Sequence, residues 1–145
     1  MSPRTLAEIV DDVNHFSNNV MARQLLLQVA AASGARPAGV RDGREAVRAW
    51  LGGRGLDFPE LVLDNGAGLS RDARISPANL VRLLADADRE ALGERFRSSL
   101  PRVGETGTVR FRLVGQPVAG RAWIKTGSLA EVRSMAGYLD AASGR

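Results

Sequence analysis

Cysteine is absent from the 145 residues. That excludes disulfides and thiolate metal sites, and it leaves the redox compartment open, because cytoplasm and periplasm fit equally. Histidine occurs once, as His15. It lies two residues from Ser17, a spacing that does not share a helix face, so it reads as a capping or half-exposed histidine rather than half of a Ser-His dyad. Asp11-Asp12 and Asp86 with Asp88 have no His or Cys beside them at ligand spacing. They read as solvated helix faces, and no metal or cofactor is expected. Aromatics make up only 5%. One set, Arg110-Phe111-Arg112, could pair phosphate contacts with stacking, but a single aromatic without a basic surface around it does not make a nucleic-acid face. The net charge of +4 comes from 20 cations and 16 anions interspersed without a basic run, the pattern of a solvated surface. Lysine is the scarcest cation: of the 20, only Lys125 is not arginine. A guanidinium cannot release its proton and spreads its charge over a fork, so a lone compact ammonium draws attention to that position, although an arginine-biased composition also leaves one lysine by chance. Residues 1–14 carry Glu8, Asp11 and Asp12. They form neither a signal-peptide apolar region nor a membrane span, and nothing in them directs export.

With 44% hydrophobic residues, the chain has the composition of one globular unit. Thr5-Leu6-Ala7-Glu8 has the capping-box spacing, and Leu6, Ile9, Val10 and Val13 recur at helical period, predicting a helix from about Thr5 toward His15. Ser17, Asn18 and Asn19 interrupt it before a second helix, Val20 to Ala32, which ends at Gly34. A third helix is predicted over Arg44 to Leu51, with Asp42 near its start, Val47, Trp50 and Leu51 on one face, and Gly52-Gly53 ending it. Leu61-Val62-Leu63 predicts a short strand emptying into a tight loop, Asp64 to Arg71, that contains Gly66 and Gly68. Ser76-Pro77 predicts an N-cap and first turn for a helix over Ala78 to Asp88, with Leu80, Val81, Leu83 and Leu84 facing the core. A short helix over about Arg89 to Ser98 follows. From Arg121 the period becomes strand-like: Ala122-Trp123-Ile124 runs into Lys125-Thr126-Gly127, a hairpin connection spans Ser128 to Glu131, and a second strand covers Val132 to Leu139. Helices first and a terminal hairpin last, without βαβ alternation, predict an α+β fold.

Lys125-Thr126-Gly127 at a strand end offers an ammonium, a hydroxyl and a glycine that admits a ligand close to the backbone, a combination suited to a carboxylate. Ser17-x-Asn19 offers a hydroxyl and a carboxamide at a helix junction. Taken alone, each motif has an ordinary explanation, a solvated strand-turn lysine and a helix cap. Together, in this order and context, they resemble the second and third motifs of the penicillin-recognising serine enzymes, Ser-x-x-Lys, Ser-x-Asn and Lys-Thr-Gly. Asn65-Gly66-Ala67-Gly68-Leu69-Ser70-Arg71 resembles the Asp/Asn-Gly-Ser-Gly-Leu-Ser-Arg loop of the D-alanyl-D-alanine carboxypeptidase/endopeptidase group of low-molecular-mass penicillin-binding proteins, with Ala67 where that loop usually has serine. Ser99-Leu100-Pro101 followed by Gly107-Thr108, and Lys125-Thr126-Gly127-Ser128-Leu129 followed by Ala136-Gly137-Tyr138, extend the likeness over nearly the whole chain.

One departure is decisive for the chemistry. Since Lys125 is the only lysine, Ser-x-x-Lys would need serine three residues before it, and that residue is Ala122. The nucleophile motif is absent from this sequence. The resemblance implies an incomplete serine β-lactamase/transpeptidase-like domain over residues 1–145, lacking the N-terminal Ser-x-x-Lys segment and the last core strand. It implies that Ser17 relays a proton toward the leaving amine, Asn19 holds the substrate amide, Lys125 supplies positive potential, Thr126 and Gly127 receive the terminal carboxylate of D-alanine, and the backbone N–H of Ser128 is one oxyanion donor. No metal or cofactor is implied. The implied partners are peptidoglycan stem peptides and, for the complete form, β-lactams, in the periplasm or cell envelope. Two other readings stand beside it: a non-catalytic fragment binding muropeptide carboxylates or a partner chain, and a serine β-lactamase relative, which would not be expected to carry the loop from Asn65 to Arg71. Missing core strands would leave edges and apolar surface uncovered, so marginal stability, association with the missing segment or self-association is expected.

Overall fold

A computed structural model describes residues 3–141 and 143. The described residues fall into two compact units: residues up to Ser17 together with those from Leu84 onward, and Asn18–Leu83. No helix among the described residues is long and apolar enough to cross a membrane.

The first unit opens with α1 (Leu6–Phe16). Its capping box forms as the sequence predicts: Thr5 N donates to Glu8 Oε2 at 2.7 Å and Glu8 N to Thr5 Oγ1 at 3.3 Å, which satisfies two otherwise orphaned donors and stabilises the helix by about 1 kcal/mol. The apolar stripe is only partly covered, with Ile9, Val10 and Val13 half-buried and Leu6 and Phe16 exposed. Asp11 is ion-paired to Arg95 and Asp12 to Arg4. The unit's two strands form an antiparallel hairpin, β1 (Ala122–Ser128) and β2 (Arg133–Leu139), in the register Ala122↔Leu139 through Ser128↔Arg133. Leu129 and Val132 exchange backbone hydrogen bonds of 2.9 and 3.4 Å to close the turn, so the connection lies where the sequence places it. Along the other edge of β1, Val103 N donates to Ala122 O at 2.9 Å and Ile124 N to Pro101 O at 2.8 Å. Val103, Val109 and Ala122, with Val118 and Ile124 against them, make this unit's core.

The second unit contains α2 (Asn19–Ala32), α3 (Val40–Gly53) and the start of α4 (Pro77–Arg89). The third helix begins earlier than its predicted Arg44, because Gly39 N donates to Asp42 Oδ2 at 2.8 Å and so caps a first turn ahead of it, and it continues through Gly52-Gly53 rather than stopping before them. Its Leu51 joins Leu56, Phe58 and Leu61 in a core flanked by Val47, Leu63, Ile75 and Leu83. Each such side chain contributes about 1.5–3 kcal/mol when fully buried. Trp50 is left exposed, with the Arg54 guanidinium 5.0 Å above its ring, a correction to the predicted face. Val81 is likewise exposed rather than core. Ser76 caps α4 by accepting from Asn79 N at 3.2 Å, as Ser-Pro predicts. The predicted strand Leu61 to Leu63 reduces to one bridge, Val62↔Arg74: its leucines go to the core, and among the described residues no further bridge extends it into a ladder. The last short helix, α5 (Gly93–Ser98), belongs to the first unit and starts four residues later than predicted.

Candidate active site

Ser17 ends α1. It sits in the left-handed region at φ 52°, ψ 48°, and its backbone N–H returns to Val13 O. Such a conformation costs a non-glycine residue roughly 1–2 kcal/mol and persists only where surrounding contacts hold it. The hold is visible one turn back. Asn14 Nδ2 donates to Ser99 Oγ at 2.8 Å, and Ser99, 1% exposed, donates to Phe96 O at 2.6 Å. A Cβ on Gly107 would lie 2.9 Å from His15 O, so only glycine lets the turn 107–109 approach α1 this closely. His15 itself donates from Nδ1 to Asp11 O at 3.0 Å within its own helix.

Lys125 projects from the middle of β1 and donates from Nζ to Ser17 Oγ at 2.5 Å, across 108 residues of sequence, and to Thr126 O at 3.1 Å. Burial alone pushes its pKa below the ordinary lysine value, because desolvation disfavours the ammonium. An ammonium is a donor only, so Ser17 Oγ accepts from it and the hydroxyl proton is left free to be given onward. Alternation along the strand puts the Thr126 side chain on the opposite face from Lys125, where Thr126 Oγ1 lies 3.4 Å from Thr108 Oγ1, a long contact. Since Ile124 donates away from β2 to Pro101 O, and N–H directions alternate in an antiparallel pair, Thr126 and Ser128 also direct their N–H groups to that outer edge. Gly127 instead lets Ser134 of β2 approach across the hairpin. A Cβ there would meet Ser134 Oγ at 2.5 Å.

Asn19 is the first residue of α2, in the second unit, and is half-buried there; the preceding Asn18 is the true cap, accepting from Met21 N at 3.0 Å. In that unit the loop from Asn65 to Arg71 is tied internally. Asn65 Nδ2 donates to Leu69 O at 3.0 Å, Ala67 N to Asn65 Oδ1 at 2.8 Å, and Asp72 N to Ser70 Oγ at 3.0 Å. Gly66, at φ 77°, brings the loop onto Leu26, whose Cβ would stand 2.9 Å from an added Cβ.

A profile of the D-Ala-D-Ala carboxypeptidase 3 (S13) family matches residues 2–145. The chain belongs to that family. It is 33% identical to the D-alanyl-D-alanine carboxypeptidase of Actinomadura sp. (strain R39) over 96% of this chain and 27% of that protein. It is 29% identical to D-alanyl-D-alanine carboxypeptidase DacB of Haemophilus influenzae over 97% of this chain and 30% of that protein. Crystal structures of penicillin binding protein 4 (dacB) from Haemophilus influenzae, one of them with a β-lactam bound, superpose with TM-scores of 0.88 and 0.87 at 29% and 28% identity, over 94% of this chain and about a third of theirs. This S13 chain therefore spans about a third or less of the length of the relatives it matches, and its α+β fold corresponds to part of a transpeptidase-like domain.

Of the residues singled out from the sequence, Ser17, Lys125, Thr126, Gly127 and Ser128 lie in one unit, and Ser17 and Lys125 are in direct contact. The sequence reading missed what supports them. Asn14 and Ser99 are 85 residues apart, and no periodicity links them; Ser99 was visible only within the Ser-Leu-Pro likeness. Thr108 was visible in the same way. Arg112, beside Thr126 and Ser128, was noted only as a flank of Phe111 in a nucleic-acid reading that was set aside, and Arg133 carried no motif at all.

Proposed function

We propose that the chain is the substrate-binding and proton-relay part of a serine-type D-alanyl-D-alanine carboxypeptidase or endopeptidase that hydrolyses peptidoglycan stem peptides through an acyl-enzyme, working in the cell envelope. In this reading residues 1–145 are an incomplete transpeptidase-like domain and the nucleophile comes from sequence outside it. The observation that carries the reading is the 2.5 Å contact from Lys125 Nζ to Ser17 Oγ. It supports a direction of proton flow. The Ser17 hydroxyl gives its proton to the departing amine of the penultimate peptide bond, and Lys125 replaces that proton from its ammonium. Burial favours the step, because a lysine whose ammonium is destabilised is the stronger acid. Asn19 holds the substrate amide, Thr126 and Gly127 receive the terminal carboxylate, and the edge N–H of Ser128 is one of two oxyanion donors. The other donor and the attacking oxygen belong to the missing serine.

The test is acylation of the complete protein by a fluorescent penicillin. Lys125→Ala is expected to abolish labelling, a loss of about a hundredfold or more given the non-additive behaviour of groups that act as a unit. The 145-residue chain alone is expected to form no covalent adduct by intact mass. An adduct on the chain, or unchanged labelling of the Lys125→Ala protein, would refute these assignments. The absence of Ser-x-x-Lys also favours a second reading, a non-catalytic binder of muropeptide carboxylates. In-frame coding sequence upstream that supplies no Ser-x-x-Lys would decide for it.

A further inference from the structure

Beside the Lys-Thr-Gly strand lies a cavity of about 400 Å³ at the turn end of the hairpin. Its walls include the hydroxyls of Thr126, Ser128 and Ser134, the apolar Met135, and two cations, Arg112 and Arg133. None of its lining residues is acidic. The two arginines also differ from Arg4, Arg41, Arg44, Arg95, Arg97 and Arg102, each of which has a carboxylate partner. Among the described residues, the Arg112 side chain has no ion-pair or hydrogen-bond partner, and Arg133 donates only to the carbonyls of Leu129 and Val132. Two uncompensated guanidiniums beside the hydroxyls of Thr126 and Ser128 make a site for an anion.

Strand geometry sharpens this. Arg133 faces Ser128 across the hairpin. Because the adjoining Leu129 and Val132 form the hydrogen-bonded pair, Arg133 and Ser128 are a non-hydrogen-bonded pair, the kind whose side chains lie closest on a shared face. By the same alternation Thr126 and Met135 share that face, and Lys125 lies on the other, with its ammonium on Ser17. A carboxylate resting against Thr126 and Ser128 therefore cannot draw its counter-charge from Lys125 without breaking the contact to Ser17. The arginine fork suits the task better in any case, since it matches a carboxylate in a bidentate way. The bonds from Arg133 to two turn carbonyls also restrict its rotamers before any ligand arrives, which lowers the entropic cost of binding.

We infer that Arg112 and Arg133 hold the free C-terminal carboxylate of the peptide ligand, with Met135 as the wall against its small last side chain, so that these arginines rather than Lys125 select a carboxyl terminus over a blocked one. This rests on reading Thr126 to Ser128 as the substrate-binding edge. Lys125 is thereby freed for proton transfer, and the two charges on the ligand path have separate tasks.

The experiment is a calorimetric titration of the full chain with an N-acetylated tripeptide ending in D-Ala-D-Ala, set against the same peptide as its C-terminal amide. The parent chain is expected to prefer the acid by roughly tenfold or more, with each arginine supplying roughly three- to tenfold of that, as charge-assisted hydrogen bonds do at a partly screened site. Arg112→Gln combined with Arg133→Ser is expected to bring the ratio of acid to amide affinity close to one, Arg133→Lys to recover part of it, and Lys125→Gln to leave it in place. Both arginines are exposed, so the variants should fold, and an unchanged circular dichroism spectrum and melting curve checks this. If the ratio survives in the double arginine variant and disappears in Lys125→Gln, the inference is overturned while the substrate-binding edge stands. If the parent does not distinguish acid from amide, the reading of that edge fails, and the inference with it.

Discussion

Ser17 carries two loads, a strained backbone and a hydroxyl bound to Lys125, and substitution can separate them. Ser17→Ala and Ser17→Gly both lose the hydrogen bond, but only glycine adopts φ 52° without a Cβ penalty. The glycine variant should therefore be the more stable of the two by about 1 kcal/mol in urea denaturation. Equal stabilities would mean that the left-handed turn is not maintained in solution. Glu60 gives a second case. Its carboxyl is hydrogen-bonded by Ser76, through side chain and backbone, and by Asn79, and these bonds hold its pKa down at about 2. A folded-state value below the ordinary carboxylate value means that its contribution to stability is present above the ordinary range and is lost as pH falls toward about 2. Glu60→Gln should therefore lower the urea midpoint at neutral pH, with the gap closing as the medium is acidified through that window. A gap independent of pH would assign the effect to packing. The candidate site residues were legible because type and spacing are linear properties: Ser17-x-Asn19 and Lys125-Thr126-Gly127 can be read off the chain. Arg133 was not, and Arg112 was read only beside Phe111, since what joins the two is a cross-strand register and a shared cavity.

At the level of elements, the helices could be read from the sequence and the lone strand could not, for a physical reason. Capping and apolar period are local signals, and the Thr5 and Ser76 caps form where they point. A strand needs a partner, and Leu61-Val62-Leu63 finds only Arg74, so its leucines serve the core without a sheet. The hairpin was legible because both of its strands and its turn are contiguous. Its one unforgiving position is Gly137, where a Cβ would overlap the Trp123 carbonyl oxygen and crowd Ile124 Cα at 2.9 Å. Both are backbone atoms and cannot rotate away. Gly137→Ala should destabilise the first unit by about 3 kcal/mol or more, or prevent hairpin formation, as overpacking against fixed atoms does. Gly43 plays the matching part in the second unit: a Cβ there would stand 2.7 Å from Leu26 O, so Gly43→Ala should force α2 and α3 apart. Circular dichroism melting checks both, and wild-type-like melting of either variant would contradict the close approach.

Taken whole, the chain carries more surface than its mass warrants. Its accessible area is 9768 Å², against about 7,200 Å² for an ordinary folded monomer of this size. Composition did not reveal this, because 44% hydrophobic residues is normal; what differs is how few of them find cover. Among the described residues the two buried clusters are small, with four buried residues in one and three in the other. Meanwhile the consecutive segment Phe111 to Val114 contains Phe111, Leu113 and Val114 at 80, 57 and 62% exposure, and Leu139 of β2 is also exposed. Uncovered apolar side chains of this kind favour association, each contributing up to about 1.5–3 kcal/mol if fully buried by a neighbour. The chain on its own should therefore bind an apolar-sensitive dye and sediment with a concentration-dependent mass, and Phe111→Ser with Val114→Ser should reduce both. The complete protein should do neither if the proposed remainder of the domain covers those surfaces. A chain that is dye-silent and monomeric at all concentrations would mean that the exposed residues are simply tolerated, and the proposal of an incomplete domain would lose its physical support.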